Sequence, residues 1–416
     1  MAVDIESANR EALERLCRAR PTWTAVRSAG DALALEERTL LHSGPPIEWP
    51  RMCGPMQGAV IGATLYEGWA ADAEVARKLA TSGAIQFAPA HSRGAVAPMA
   101  AVISRTMPLL EIEDKANATK SWSFIGTGFG PQLRFGGFSP EVLEKLRWLR
   151  DVYAPALVGA LEKEGPLDLA ATMAQALQMG DEMHMRNAAG TALLARFLAP
   201  PLAAVVKDAA TLERILRFMT RNNDQFFLAW SMGAAKAAAR SIENVEGSTV
   251  VSTMARNGVD FGIRVAGLGE RWFTAPAAAV AGSYFPGFGP DHANRDVGDS
   301  AIMETWGLGG MAMAASPAVV TIVGAKSFSD AVKTSRAMGE ICVGRNALFP
   351  LAALGEGSPT AIDIRRVAES GIVPSINTAI AHRDAGVGRI IGAGIATPPL
   401  EPFVEALGAF ADRYLG

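Results

Sequence analysis

Residues Gly180 to Asn187 read Gly-Asp-Glu-Met-His-Met-Arg-Asn, and they gather most of the groups in this chain that could move or hold a proton. Two acids, an imidazole, a guanidinium and an amide stand between two apolar runs of a chain otherwise sparing with charge. On a helix, Asp181, His184 and Asn187 would share one stripe. A carboxylate beside a histidine fixes its tautomer and raises its basicity, which general acid–base chemistry uses. The competing reading is a solvated helix end, with Asp181 or Glu182 as the cap and a Glu182–Arg186 pair.

Further candidates are scattered along the chain. Glu67 interrupts the long apolar segment 52–71, where a carboxylate must be paired or held protonated. His91 follows a short predicted strand, a place where ligands often meet an α/β layer, and Arg93 beside it could grip a carboxylate through two parallel bonds. Asn117 opens a segment to residue 137 rich in Gly, Ser and Phe, read as an ordered loop with a ligand-facing side. Asn257-Gly258 between two strand-like runs, 248–254 and 259–265, predicts a hairpin. It puts Arg256 near the tip and Arg264 on the face opposite Val259, Phe261, Ile263 and Val265. Asp299 or Ser300 would cap a short helix carrying Glu304, and Gly309 and Gly310 would leave main-chain N–H groups free for an oxyanion. Asn377 and His382 follow another predicted strand. Cys17, Cys53 and Cys342 are widely spaced with no metal-ligand pattern, so neither a metal nor a cofactor is expected.

The elements that must position these groups are legible from period and punctuation. Helical spacing covers 7–19 with Ser7 as cap, 72–82, 139–163 with a kink near Pro155, 168–179, 184–198, 209–221, 224–243, 363–369 and 401–414. The glycines Gly58 and Gly62 in the segment 52–71 would let a backbone approach a helix closely. Buried strands are predicted at 84–88, 109–113, 372–376 and 390–394, and the segment 21–50 reads as irregular. The result is a mixed α/β chain: two α/β domains, 1–138 and 246–416, flanking a mainly helical domain, 139–245.

Composition narrows the function. The 416 residues are 49% hydrophobic, enough for large cores and a subunit interface, so a homo-oligomer is expected. A net charge of −3 provides no basic surplus for nucleic acid. Mean hydropathy is high, +0.16, yet no run has the length and purity expected of a membrane span. The cysteine pattern and the polar, acidic N-terminus predict a cytoplasmic protein.

Several motifs together resemble one family. They are Arg51-Met-Cys-Gly-Pro-Met-x-Gly-Ala-Val-Ile-Gly, Tyr66-Glu-Gly-Trp, Met179-Gly-Asp-Glu-x-His-x-Arg-Asn, Val245-Glu-Gly-Ser-Thr-Val-Val, Met254-Ala-Arg-Asn-Gly, Arg271-Trp-Phe-Thr-Ala-Pro and Gly298-Asp-Ser. In this order they resemble the YlbE/AllG-like family, from about residue 40 to 409. The resemblance implies a three-part α/β protein with a helical insert. It also implies cleavage of the C–N bond of a small ureido acid such as oxalurate, with the carbamoyl group passing to phosphate and companion subunits present. Ureidomalonate, cleaved by water alone, is the related hydrolytic case. One departure bears on this: the family's histidine run is here His91-Ser92-Arg93-Gly94-Ala95-Val96-Ala97-Pro98-Met99-Ala100. Lost histidines and a gained arginine tilt the expectation towards hydrolysis.

Such chemistry needs a cation for the substrate carboxylate, donors for the oxyanion, and an acid and a base. Arg93, Arg256 and Arg264 are candidates for the first, with Asn117, Asn187, Asn257, Asp299, Ser300, Gly309 and Gly310 as further contacts. Glu67, His91, Asp181, Glu182, His184 and Glu304 are candidates for proton transfer. The alternative from another class is a non-catalytic subunit that works only with partners.

Overall fold

The first half of the chain is tied together by strands whose partners are remote in sequence. The computed structural model describes residues 3–126, 130–221 and 225–416. It opens with α1 (Ile5–Arg18), β1 (Pro21–Ser28), α2 (Ala29–Leu33), β2 (Thr39–His42), α3 (Gly54–Tyr66) and α4 (Ala73–Thr81). Then come β3 (Gln86–Pro89), β4 (Ala95–Val96), β5 (Val102–Ile103), β6 (Pro108–Asp114) and β7 (Thr119–Phe124). With β8 (Leu167–Asp168), one sheet has the order β4-β7-β6-β1-β8, and a smaller one runs β3-β2-β5.

The segment 21–50 is therefore not irregular: it supplies β1 and β2, which pair with the predicted but remote strands β6 and β3. The expected loop 117–137 begins instead as β7, and residues 127–129 of it lie outside the described residues. Helix α1 is capped by Asp4, which accepts the Ser7 N–H, rather than by Ser7. The glycines of α3 act as expected, since a Cβ on Gly58 would stand 2.1 Å from the Gly136 carbonyl oxygen.

The middle of the chain is mainly helical. Helices α5 (Pro140–Trp148) and α6 (Ala154–Glu164) join through a wider π-helical turn, Leu149–Tyr153, just before Pro155, whose ring nitrogen has no hydrogen to donate. They are followed by α7 (Leu169–Gln178), α8 (Ala188–Val205), α9 (Ala209–Thr220) and α10 (Leu228–Arg240). Asp224, the predicted start of the last helix, lies outside the described residues. Helix α8 begins four residues later than the sequence predicts, at Ala188 instead of His184. Gly180 and Met183 have φ of +98° and +73°, so residues 180–187 form a compact turn and the predicted Asp181–His184–Asn187 stripe does not exist. By length and composition α8 could cross a membrane, contrary to expectation; here it packs on α6, α7 and α9.

The last part brings β9 (Val251–Asn257), β10 (Asp260–Val265), β11 (Phe273–Pro276), β12 (Val280–Tyr284), β13 (Val297–Gly298), α11 (Ile302–Thr305), α12 (Val319–Ile322) and α13 (Phe328–Glu340). It ends with β14 (Cys342–Leu351), β15 (Glu356–Ile362), α14 (Ile364–Ser370), β16 (Ile376–Ala381), β17 (Ile390–Ala396) and α15 (Glu401–Tyr414). The sheets are β11-β10-β9-β13, β12-β17-β16 and β14-β15. The Asn257-Gly258 hairpin forms: Gly258 has φ +80°, and Asn257 Oδ1 accepts the N–H groups of Val259 and Asp260. Arg256 is not at the tip, however, but within β9, opposite Phe261 and Gly298. The predicted strand 372–376 is displaced, because β16 begins only at Ile376. The chain is a mixed α/β protein. One apolar cluster runs from Ala8 through Trp23, Trp230 and Trp306 to Ala361, so segments of every third of the chain share it.

Candidate functional site

The turn 180–187, helix α11 with the following glycines, and strand β16 meet at a buried polar centre. His184 Nδ1 lies 2.7 Å from Glu304 Oε1, and both side chains are almost wholly buried. The carboxylate acceptor fixes the hydrogen on Nδ1 and leaves Nε2 as the basic nitrogen. Glu182 accepts from the N–H groups of Met185 and Arg186 and from Asn377 Nδ2, the last at 3.1 Å. Burial raises its pKa, against the pull of these donors.

Gly309 and Gly310 close the centre, though not as an open oxyanion nest. The Gly309 N–H donates to the Glu182 carbonyl at 2.7 Å, and the Gly310 N–H to Glu304 Oε1 at 3.1 Å. Neither position has room for a side chain: a Cβ on Gly309 would come within 2.1 Å of Glu304 Oε1, and one on Gly310 within 1.8 Å of the Ser375 carbonyl oxygen. Asn187 donates to the His184 carbonyl and accepts from Ser231 on α10. Asp181 pairs with Arg186 and accepts the Gly190 N–H, so it anchors the first turn of α8. Among the described residues, Glu304 Oε2 and Asn377 Oδ1 are buried without a hydrogen-bond partner. Two unengaged acceptors beside a histidine–carboxylate pair suit a ligand rich in N–H groups.

A second group lies on the other side of the Asp299–Glu304 segment. Asp299 accepts the N–H groups of Gly44 at 2.7 Å and Ala97 at 2.9 Å, so its carboxylate ties loops together rather than capping α11, whose N-cap is Ala301. His91 Nε2 is 3.3 Å from Asp299 Oδ1. Burial lowers the His91 pKa; Asp299 opposes this, while Lys236 and Arg264 reinforce it. His91, Arg93 and Arg264 line one cavity of about 390 Å³. A larger cavity, about 600 Å³, is lined by residues of α5 and α9 and holds none of the predicted site residues.

Other candidates are placed elsewhere or fully engaged. Arg256 directs all five hydrogen bonds inward: two to Asp296, and one each to the Gly298 carbonyl, Ser300 Oγ and Thr378 Oγ1. No donor is left for a substrate. This network does carry the hairpin to β16, since Thr378 adjoins Asn377 of the buried centre. Asn257 is occupied by its own turn and by the Pro45 carbonyl. Glu67 accepts from Ser104 Oγ, Thr106 N and Thr106 Oγ1, which pins the 104–106 turn. Asn117 joins the β6–β7 turn to α1 through Asp114, Arg18 and the Arg15 carbonyl. His382 meets the Phe288 ring edge-on and lies tilted against His292 at a separate loop.

Comparison with known proteins accounts for the length of the match. The family model for oxamate carbamoyltransferase subunit AllG matches residues 85–300. The Escherichia coli (strain K12) protein named oxamate carbamoyltransferase subunit AllG is 43% identical over 99% of both chains. The chain belongs to the AllG family. An uncharacterized E. coli relative, YahG, is also 43% identical, over all of this chain and 88% of its own. A crystal structure of a conserved protein of unknown function from Enterococcus faecalis V583 superposes with a TM-score of 0.96, at 42% identity, over 99% of this chain and 98% of that one.

In this AllG-family chain several buried polar residues lie outside the candidates that the sequence singles out. Arg134 is sealed in a three-residue turn, and Lys236 and Glu243 form an ion pair of 2.7 Å at α10. The sequence signal for Lys236 is a charge among the alanines of 234–239 on an otherwise apolar helix; Arg134, in its turn, has no such signal. Asn377 drew notice only as a polar residue near a strand end.

Proposed function

We propose that this chain serves carbamoyl-group chemistry on a small ureido acid, with the His184–Glu304 pair as its proton carrier. The observation that carries this is the pair of unengaged acceptors, Glu304 Oε2 and Asn377 Oδ1, in the same dry centre. A ureido group presents N–H donors at one end and a carbonyl at the other, and it could satisfy both acceptors. The family membership supports the carbamoyl part of the reading, and the name of the E. coli relative supports companion subunits.

The step balances simply. The acceptor, phosphate or water, gives its O–H proton to His184 Nε2 as its oxygen bonds to the carbonyl carbon. The same proton passes to the substrate nitrogen as the C–N bond breaks. Transfer to phosphate leaves carbamoyl phosphate and the freed amide; transfer to water leaves carbamate, which falls apart to ammonia and carbon dioxide. Glu304 holds the imidazole and steadies its charged form. The altered loop at His91–Ala97 favours water over phosphate.

The test is to incubate purified chain with oxalurate and with ureidomalonate, each with and without phosphate, and to identify products. The expected outcome is turnover that falls by about 100-fold or more in His184→Gln, the scale of losing a general base. A second reading, a subunit inactive without partners, is favoured by the sealing of the centre from solvent. Equal inactivity of wild type and His184→Gln alone, with activity restored to the wild type only by the companion subunits, would establish it. Turnover untouched by His184→Gln would remove His184 from the chemistry.

A further inference from the structure

The cavity beside His91 is rich in charged side chains, and one buried lysine behind it adds to its cations. Lys236, Arg240 and Arg264 surround one carboxylate, Glu243, at 2.7, 3.8 and 4.0 Å. Glu270, 3.8 Å from Arg264, is 82% exposed, so water weakens its pull. Asp31, on the cavity wall, accepts from Ser28 at 2.7 Å. Arg93 stands at the cavity with an exposed side chain. Counting Lys236, four cations, Arg93, Lys236, Arg240 and Arg264, stand against three carboxylates, Asp31, Glu243 and Glu270.

The wall also holds donors with nothing to donate to. Trp122 Nε1 is buried and has no hydrogen-bond partner among the described residues. Among the described residues neither ring nitrogen of His91 makes a hydrogen bond, although Nε2 comes to 3.3 Å from Asp299 Oδ1. An indole N–H and guanidinium groups are donors only, so whatever completes them must be rich in acceptors. A buried N–H left alone is costly, and native proteins almost always partner such groups.

We propose that this cavity binds a small oxyanion, held by Arg93, Arg264 and the Trp122 N–H. The chemistry fits inorganic phosphate and the carboxylate of a small organic acid alike. The site goes beyond the carbamoyl reading and does not rest on it, because it is lined by its own residues and binds without turnover.

Isothermal titration calorimetry of the full chain with phosphate, sulfate, malonate, oxamate and chloride at matched ionic strength tests this. Saturable one-site binding of an oxyanion, and none of chloride, is expected; phosphate against malonate and oxamate tells the two sources apart. Arg264→Gln, and separately Trp122→Phe, which keeps the ring and removes the N–H, are each expected to weaken binding about tenfold or more. Arg93→Gln, at an exposed position, serves if either variant unfolds. His184→Gln is expected to leave the affinity unchanged, so a failure of the proposed chemistry would not be mistaken for a failure of this site. No saturable binding by any oxyanion, or changes smaller than about twofold in all the cavity variants, would overturn the proposal.

Discussion

Arg256 and Arg134 are both sealed from solvent, and they are provided for in opposite ways. Arg256 has a bidentate carboxylate and three further acceptors. Among the described residues the Arg134 side chain has one hydrogen-bond partner, Gln132 Oε1 at 2.8 Å, while Nη1 and Nη2 have none. Its guanidinium lies 4.6 Å from the Phe135 ring, and burial lowers its pKa to about 9, which still leaves it charged at neutral pH. Arg256→Met should cost about 3–5 kcal/mol, since it strands Asp296 in the interior. Arg134→Met should be near neutral or stabilising, since it removes a charge with no acid beside it among the described residues. Urea unfolding of both variants checks this; equal losses would refute the distinction. The same contrast explains what was legible at this scale. A charge inside an apolar run marks burial, so Asp181, Glu182, His184 and Glu304 stood out. Whether a partner waits is a property of residues far away, and that hid the difference between these arginines.

At the scale of elements, what depends on neighbours in sequence was readable and what depends on remote pairing was not. The Asn257-Gly258 turn, α4 behind its Asp72 cap and the C-terminal helix all follow from local chemistry. Strand β1 is hidden because its partner β6 is remote; the β14–β15 hairpin, though its strands are neighbours in sequence, contains Pro350 at an irregularity in its register, which breaks the alternation that would announce it. Helix α8 starts later than its periodicity predicts, because Met183 takes a left-handed backbone that composition does not reveal. The glycines of the helices allow a direct comparison. Gly58 faces the backbone of Gly136, whereas an added Cβ on Gly408, exposed in α15, meets nothing. Gly58→Ala should destabilise by about 1–3 kcal/mol through overpacking, with little relief because the obstacle is backbone. Gly408→Ala should stabilise by about 0.5–1 kcal/mol through helix propensity. Chemical denaturation midpoints of the two variants should move in opposite directions.

For the whole molecule, the decisive fact is convergence: His42, His91 and Asp299 come from three distant segments, and no spacing in the chain announces their meeting. The Asp299 carboxylate bridges the Gly44 and Ala97 amides, and both histidines feel its charge. Burial nevertheless lowers the pKa of each histidine from 6.5, most strongly among the causes acting on it. In that state the unfolded chain binds protons that the folded chain refuses. Stability therefore falls as pH drops through 6.5 towards the folded values, and it recovers as pH rises above the unfolded value. Glu182 acts in the other direction, because burial raises its pKa and acid relieves the cost of its charge. The slope of the wild type alone is thus a sum of opposing terms, and a difference between two proteins isolates one of them. His91→Gln cannot charge, so its melting temperature minus that of the wild type should become more positive between about pH 7 and about pH 5. Parallel melting curves across that range would mean that His91 takes up its proton as readily in the folded chain as in the unfolded one. A convergence with Asp299 strong enough to do that would make it an ion pair rather than a neutral contact.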